Sequence, residues 1–365
     1  MTKQILENKT RYQGQTSALD ILHSYSITGE SQTLKEQMLD DAFVLKDIAI
    51  RGQWTTIYAS PGNGKTLLTM WLLIEALETN LLDGDNVFYV NADDNFRGIV
   101  EKTELAEKSG FHTVAPNQKG FKSSEIPNLM LQLAETGEAK GVIFILDTLK
   151  KFLDVMQKKD ATDFGIISRN FVSAGGTLIC LAHTNKHAAA DGRPIPGGTS
   201  DVRDDSDCVY LLNKIAGQLY EDTVGVEFMN DKARGDVADT VSFSYSRRHG
   251  QTYEELINTV KRIENDKIDE LKQSAINAQQ LEADKEIISS VRNSIEAGIT
   301  SKAAIIKFVN QETGITQRKI SKVLDDRTGN IYQLGHRWSV ETGLHNKNKY
   351  SLLKFESVTG PQKTE

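Results

Sequence analysis

Eight consecutive residues, Ala59-Ser60-Pro61-Gly62-Asn63-Gly64-Lys65-Thr66, have the types and spacing needed to hold a nucleoside triphosphate. They fit the phosphate-loop pattern, with Ala59 where the common form has glycine. Gly62 and Gly64 let the backbone turn tightly and aim successive N–H groups at a β-phosphate. Lys65 can reach the β- and γ-phosphates, and the Thr66 hydroxyl can ligate Mg²⁺. The expected contacts to ATP are therefore Ser60, Pro61, Gly62, Asn63, Gly64, Lys65, Thr66 and Leu67. Eight residues also match by chance in glycine-rich turns that bind nothing, so the flanks decide. Residues 55–58 read as a short strand, and residues 67–77 as a buried helix whose N-terminus receives the phosphates.

The metal and the attacking water call for carboxylates. Asp147 ends the apolar run 141–146, where it can hold the hydration shell of a Mg²⁺ that Thr66 ligates. A strand ending in aspartate is common; its place downstream of a phosphate loop gives it meaning. Thr148 follows, so the hydrolytic base is not a glutamate adjacent to Asp147. Asp93 and Asp94 end the strand at residues 86–90, on the sheet edge where α/β proteins bind ligands. Either could orient or deprotonate the water, with Asp93 preferred, or cap the helix that begins near Phe96. His183 and Thr184 close the apolar run 176–182, where a polar side chain can touch the γ-phosphate and register its loss. Lys186 and Arg193 lie in the glycine-containing segment that follows, residues 186–203. That segment could grip the phosphates of a single nucleic-acid strand, or be a surface loop only.

Strands alternating with helices over residues 36–250 imply a mainly parallel sheet that positions these residues. Further short strands are expected near residues 208–212, 225–229 and 241–245. Residues 1–35 are polar and poorly periodic and read as an N-terminal arm. Residues 251–284 read as a helical linker, with Leu256, Ile257, Val260 and Ile263 at helical spacing; an amphipathic helix packed on its own domain fits equally well. Helices are then expected at 284–297, 300–312 and 316–327, with Thr300 and Thr316 as N-caps. Segments 330–334, 337–340 and 350–354 follow, with a polar turn at 342–349. That order resembles a winged helix, over residues 285–356, before a flexible tail at 357–365. The resemblance makes the third helix, with Gln317, Arg318, Lys319 and Lys322, a reader of the major groove. It places Lys347 and Lys349 in a wing near a phosphate backbone. Winged helices also dock proteins, and Asp325 and Asp326 disfavour DNA at the helix end.

At 365 residues the chain has room for one large α/β domain and a smaller one. Its net charge of −7 does not advertise a nucleic-acid binder, but the charge is uneven. Residues 285–365 carry 13 Lys/Arg against 8 Asp/Glu, a basic module behind an acidic body. Cys180 and Cys208 sit in apolar surroundings with no metal-ligand spacing, as buried thiols would. No N-terminal apolar segment looks like a signal peptide and no apolar run is long enough to span a bilayer. A soluble chain in the cytoplasm of a bacterial or phage-infected cell is the expectation.

The phosphate loop, the Asp147-Thr148 pair, the His183 strand end and Gly197-Gly198-Thr199-Ser200 together resemble the RecA-like ATPases. Within them the chain is most similar to plasmid RepA-type hexameric replicative helicases and related phage and mobile-element ATPases, over roughly residues 35–250. The group usually has glutamate where Asp93 stands, one methylene longer. The resemblance implies an α/β fold with a RecA-like P-loop NTPase core and a central, mostly parallel sheet. It also implies a ring, with a hexamer expected, that hydrolyses ATP with Mg²⁺ and acts on single-stranded DNA as a replicative helicase or translocase, beside other replication proteins. Lys232-Ala233-Arg234 is similar to the Lys-x-Arg pair that such hexamers insert across the subunit boundary. Arg234 would then be an arginine finger and Lys232 its companion at the neighbour's γ-phosphate. Read alone, the stretch is an exposed basic turn. The rival from another class is an ATP-switched DNA-binding, loader or regulatory protein that does not unwind. Lys65→Ala is expected to abolish ATP hydrolysis; turnover retained in a clean preparation of that variant contradicts the assignment of the loop.

Overall fold

The structure is a computed structural model that describes residues 17–37, 42–187, 189, 193–215, 222–332, 335–342 and 348–353. The apolar runs become strands because their side chains alternate between two buried faces. In chain order the strands are β1 (Phe43–Leu45), β2 (Ala49–Ile50), β3 (Trp54–Ala59), β4 (Val87–Asn91), β5 (His112–Val114) and β6 (Ile143–Asp147). They continue with β7 (Thr177–His183), β8 (Cys208–Lys214), β9 (Thr223–Lys232), β10 (Thr240–Ser246) and β11 (Lys261–Ile263). Nine of them form one sheet in the order β11-β10-β9-β8-β3-β7-β6-β4-β5. The six from β8 to β5 in that order are parallel, and β8, β9, β10 and β11 are joined antiparallel.

On one face Ile57, Tyr89, Ile145, Ile179 and Tyr210 pack under the helices Lys65–Glu78 and Phe96–Ser109. On the other, Trp54, Tyr58, Phe144, Leu178 and Cys180 meet the helices Ile126–Thr136 and Lys158–Ser173. Helix Lys65–Glu78 buries Leu67, Leu68, Met70, Leu72 and Leu73, as a helix apolar nearly all round must. Both cysteines are free and buried, on opposite faces of the sheet. Among the described residues no helix is long and apolar enough to cross a membrane.

Residues 251–284 divide instead of forming one helical linker. Thr252 caps the short helix Tyr253–Ile257, and β11 then joins the sheet edge beside β10. Arg262 fastens that strand through ion pairs to Asp47 at 2.8 Å and Glu75 at 3.4 Å. Ile257 and Val260 are therefore core residues, and the helical spacing that suggested one helix served two elements. Only Asn265–Ala283 is a long helix, pinned to β9 by Lys272 on Glu227 at 2.8 Å. The described part of residues 1–35 holds the helices Ala18–Ser24 and Ser31–Gln37, the first started by a Ser17–Asp20 capping box.

The C-terminal helices are Lys285–Glu296, Lys302–Thr313 and Gln317–Asp326, followed by an antiparallel hairpin of β12 (Trp338–Thr342) and β13 (Asn348–Leu352). Their core gathers Ile287, Val291, Ile305, Val309, Ile320, Leu324, Trp338 and Tyr350. Trp338 Nε1–H donates to the Leu324 carbonyl at 2.8 Å, so the buried indole is satisfied. Ser301, not Thr300, takes the N-cap of the second helix, since the Ser301 carbonyl accepts the Ile305 N–H at 2.9 Å; its side chain makes no cap bond, and the Thr300 carbonyl instead accepts the Tyr350 N–H at 2.9 Å. Thr316 holds its N-cap position without a side-chain bond. Residues 330–332 form no strand; a single bridge from Thr328 to Trp338 lies in their place. The tail at 357–365 and Lys347 lie outside the described residues.

Candidate functional site

Four parallel strands end on one edge of the sheet and deliver the site. Ala59 on β3 is paired with His183 on β7, and Asn91 on β4 with Asp147 on β6. The segment 60–64 leaves β3 there. Gly62 at φ 78° and Gly64 at φ 84° hold the left-handed conformation that glycine adopts without penalty. Asn63 N–H donates to the Ser60 carbonyl at 3.2 Å, and Gly64 is the N-cap of helix Lys65–Glu78. A Cβ at Gly64 would lie 2.9 Å from the Tyr245 ring, a second reason for glycine at this position. The open N–H groups of the helix's first turn face the loop, which suits an anion. Ser60 and Thr184 hydroxyls share a hydrogen bond of 2.8 Å, tying the loop to the end of β7.

Asp147 is buried and receives three donors. Lys65 Nζ lies 3.0 Å from Oδ1, while Thr66 Oγ1–H and Tyr89 O–H each donate to Oδ2 at 2.7 Å. Burial alone would push the carboxyl up, but the Lys65 ammonium and the hydrogen bonds from Thr66 and Tyr89 outweigh it. Asp147 is held below the ordinary carboxylate value. One carboxylate beside one hydroxyl is a hard-oxygen donor set that fits Mg²⁺, which keeps waters and phosphate oxygens for its other positions.

Asp93 and Asp94 both line the cleft but differ in their partners. Asp94 accepts from Asn91 Nδ2 at 2.9 Å and is ion-paired with the buried Lys102, which also lies over the Tyr253 ring. Its carboxylate is thus already committed to Asn91 and Lys102. Asp93 points into the cleft, with His183 Nε2 at 3.9 Å and Lys151 Nζ at 3.6 Å. The His183 imidazole is pushed down by partial burial and then by the Lys65 and Lys150 cations, so it is neutral at pH 7. Its Nδ1 is buried without a hydrogen-bond partner among the described residues.

The cleft has a volume of about 270 Å³ and is walled by residues that motif reading missed: Tyr245, Arg247, Tyr253, Leu256 and Lys102. Tyr245 belongs to β10, and Tyr253 and Leu256 to the helix after it, elements far from the loop in sequence. Arg247, just past the end of β10, was the one legible from position. A larger hollow of about 630 Å³ lies by Phe88, Phe96, His112 and Phe121 at the β5 edge. Its wall is chiefly apolar, whereas Lys65, Thr66, Asp93, Asp147 and His183 gather in the smaller cleft.

Lys232 and Arg234 do not reach this cleft. Arg234 lies at the start of β3, where its carbonyl accepts from Gln53 Nε2 at 2.7 Å and its guanidinium meets the buried Asp207 at 3.2 Å. The six residues of β3 separate it from the loop by about 17 Å. Lys232 donates to the carbonyls of Arg203, at 3.3 Å, and Asp204, at the end of helix Ser200–Asp205. Both cations thus sit on the opposite edge of the sheet from their own phosphate loop. Lys186 is exposed in the segment after β7, which folds back so that Gly197 N–H donates to the His183 carbonyl at 3.0 Å. Arg193 lies on the same fold-back, where its carbonyl accepts the Ala189 N–H at 2.9 Å. Arg318, Lys319 and Lys322 share the exposed face of helix Gln317–Asp326, and Asp325 beside them is paired with Lys302 at 2.5 Å.

The chain matches no protein-family model and no curated protein. Asp147 supplies a pH test. Its folded-state value is depressed, so its stabilisation is complete above about pH 4 and is lost as pH falls through the lower folded value. Wild-type melting temperature should fall with acidification in that window, and that of Asp147→Asn should fall less. Superimposable acid limbs in thermal denaturation would contradict the charged, donor-held carboxylate.

Proposed function

We propose that the chain is an ATP- and Mg²⁺-dependent motor with a RecA-like P-loop core and a C-terminal winged helix. It assembles into a ring and acts on single-stranded DNA as a helicase or translocase. The observation that carries the reading is the convergence of Lys65, Thr66, Asp147, Asp93 and His183 on one cleft at the N-terminus of helix Lys65–Glu78. Residues from four strand ends are brought together in the arrangement that phosphoryl transfer to water needs.

In this mechanism the loop N–H groups and the first turn of helix Lys65–Glu78 bind the phosphates of ATP, and Lys65 moves from Asp147 to the β- and γ-oxygens. Thr66 and Asp147 would hold Mg²⁺, which supplies charge neutralisation of the phosphate oxygens. Asp93 accepts a hydrogen bond from the attacking water and orients it in line with the γ-phosphorus. His183, neutral and 3.9 Å from Asp93, meets the γ-phosphate and registers its departure. Its carbonyl holds the segment that carries Lys186 and Arg193, so a shift at the strand end moves the proposed DNA-gripping loop. Arg234 and Lys232 stand on the far edge of the sheet, where a head-to-tail neighbour in a ring can receive them. There Arg234 stabilises the transition-state charge of the next site. The fold of the last domain suits nucleic acid through the exposed Arg318, Lys319 and Lys322, and its Asp325 is neutralised by Lys302.

A switch that binds and slowly hydrolyses ATP without moving along DNA uses the same cleft. Steady-state hydrolysis with and without single-stranded DNA separates the two. The motor reading predicts DNA-stimulated turnover, and a kcat that falls by about 10³-fold or more in Arg234→Ala, the scale of an arginine finger. Weak turnover indifferent to both DNA and Arg234 supports the switch.

A further inference from the structure

We propose that Tyr89 is a positioning residue for the metal-binding carboxylate: its hydroxyl holds Asp147 in place when nucleotide draws the other donors away. The inference rests on the reading of Asp147 as the residue that, with Thr66, holds Mg²⁺. At rest Asp147 has three donors, Lys65, Thr66 and Tyr89. Two of them have work elsewhere once ATP is bound. Lys65 turns to the phosphates, and Thr66 must offer an oxygen lone pair to the metal. Tyr89 has no such duty. Its hydroxyl is spent on Asp147 Oδ2 at 2.7 Å, and its ring is fully buried in the core beneath helix Lys65–Glu78.

The placement follows from register. Tyr89 on β4 is opposite Ile145 on β6, and Asp147 lies two residues further along the same face. A tyrosine there reaches the strand end, where a shorter side chain would stop inside the sheet. The ring is fixed by packing, so the hydroxyl marks one orientation of the carboxylate. Oδ2 stays anchored, and Oδ1, released by Lys65, is free for the hydration shell of the ion. Without the Tyr89 hydroxyl, Oδ2 would then be a buried carboxylate oxygen with no donor, which is costly and would let the carboxylate rotate. Partners that orient a metal ligand in this way typically matter by about 10- to 100-fold in metal affinity or activity.

The test uses the full-length chain and a non-hydrolysable ATP analogue, with affinity measured by calorimetry in EDTA and in excess Mg²⁺. The ratio of the two affinities reads how well the metal is held. In Tyr89→Phe the EDTA affinity is expected to match wild type while the gain from Mg²⁺ shrinks by about tenfold or more. Hydrolysis in the variant should need more Mg²⁺ for half-maximal rate and recover at saturation. Tyr210→Phe removes another buried phenol, bonded to the Ala238 carbonyl away from the cleft, and should keep the wild-type ratio. An unchanged ratio in Tyr89→Phe overturns the proposal. So does a Tyr89→Phe chain that fails to fold, since the hydroxyl would then belong to the fold and not to the ligand. A wild-type chain whose affinity ignores Mg²⁺ overturns the reading of Asp147 itself, and the proposal with it.

Discussion

A carboxylate kept charged inside a protein must be surrounded by donors, and the ion pair of Asp147 with Lys65 meets that demand at the centre of this chain. Both partners are buried, at the meeting point of β6 and the helix that begins at the phosphate loop. In the proposed ATPase the pair is also a placeholder, with Asp147 holding Lys65 at the mouth of the cleft until phosphates draw it away. The loop glycines, the Tyr245 ring against Gly64 and the Ser60–Thr184 bond all serve to keep that geometry.

The sheet then gives the molecule two functional edges. At one, the ends of β3, β4, β6 and β7 assemble the cleft. At the other, Asp207 collects Arg169, Arg234 and the Trp54 N–H, and holds the exposed Arg234 guanidinium at the surface. The fold-back from His183 through Gly197 to helix Ser200–Asp205 runs between the two edges, and that helix's terminal carbonyls hold Lys232. A ring built head to tail makes use of such an arrangement, because each subunit offers a cleft on one side and a basic pair on the other.

Several residues that line the cleft could be picked out in the sequence because a phosphate-loop pattern is local. Gly62, Gly64, Lys65 and Thr66 must be contiguous, and Asp147 and His183 announce themselves by ending apolar runs. The different surroundings of Asp93 and Asp94 needed three dimensions, since Asp94 is held by Asn91 and by Lys102, eight residues away on the next helix, while Asp93 lies near His183 and Lys151. Tyr89 read as an ordinary aromatic strand residue; its bond to Asp147 depends on register between strands separated by more than fifty residues in sequence. Residues 251–263 were misread because Leu256, Ile257, Val260 and Ile263 satisfy helical spacing, while edge pairing with β10 and the Arg262 ion pairs favoured a short helix and a strand. In the C-terminal domain, helix periodicity placed three helices to within a few residues. The cap lies one residue later than Thr300, at Ser301, while the Thr300 carbonyl is used by the Tyr350 N–H of the hairpin, a contact no local pattern carries.

The central claim is that hydrolysis needs the cleft of one subunit and Arg234 of the next. It is tested most directly by co-assembling Lys65→Ala chains with Arg234→Ala chains, each silent alone, and measuring ATP turnover. Where an Arg234→Ala subunit, with Lys65 intact, lies beside a Lys65→Ala subunit that supplies Arg234, a complete site is restored. The account predicts that turnover reappears in the mixture and peaks near equal proportions. A mixture that stays silent while wild type is active and both variants assemble normally would contradict it.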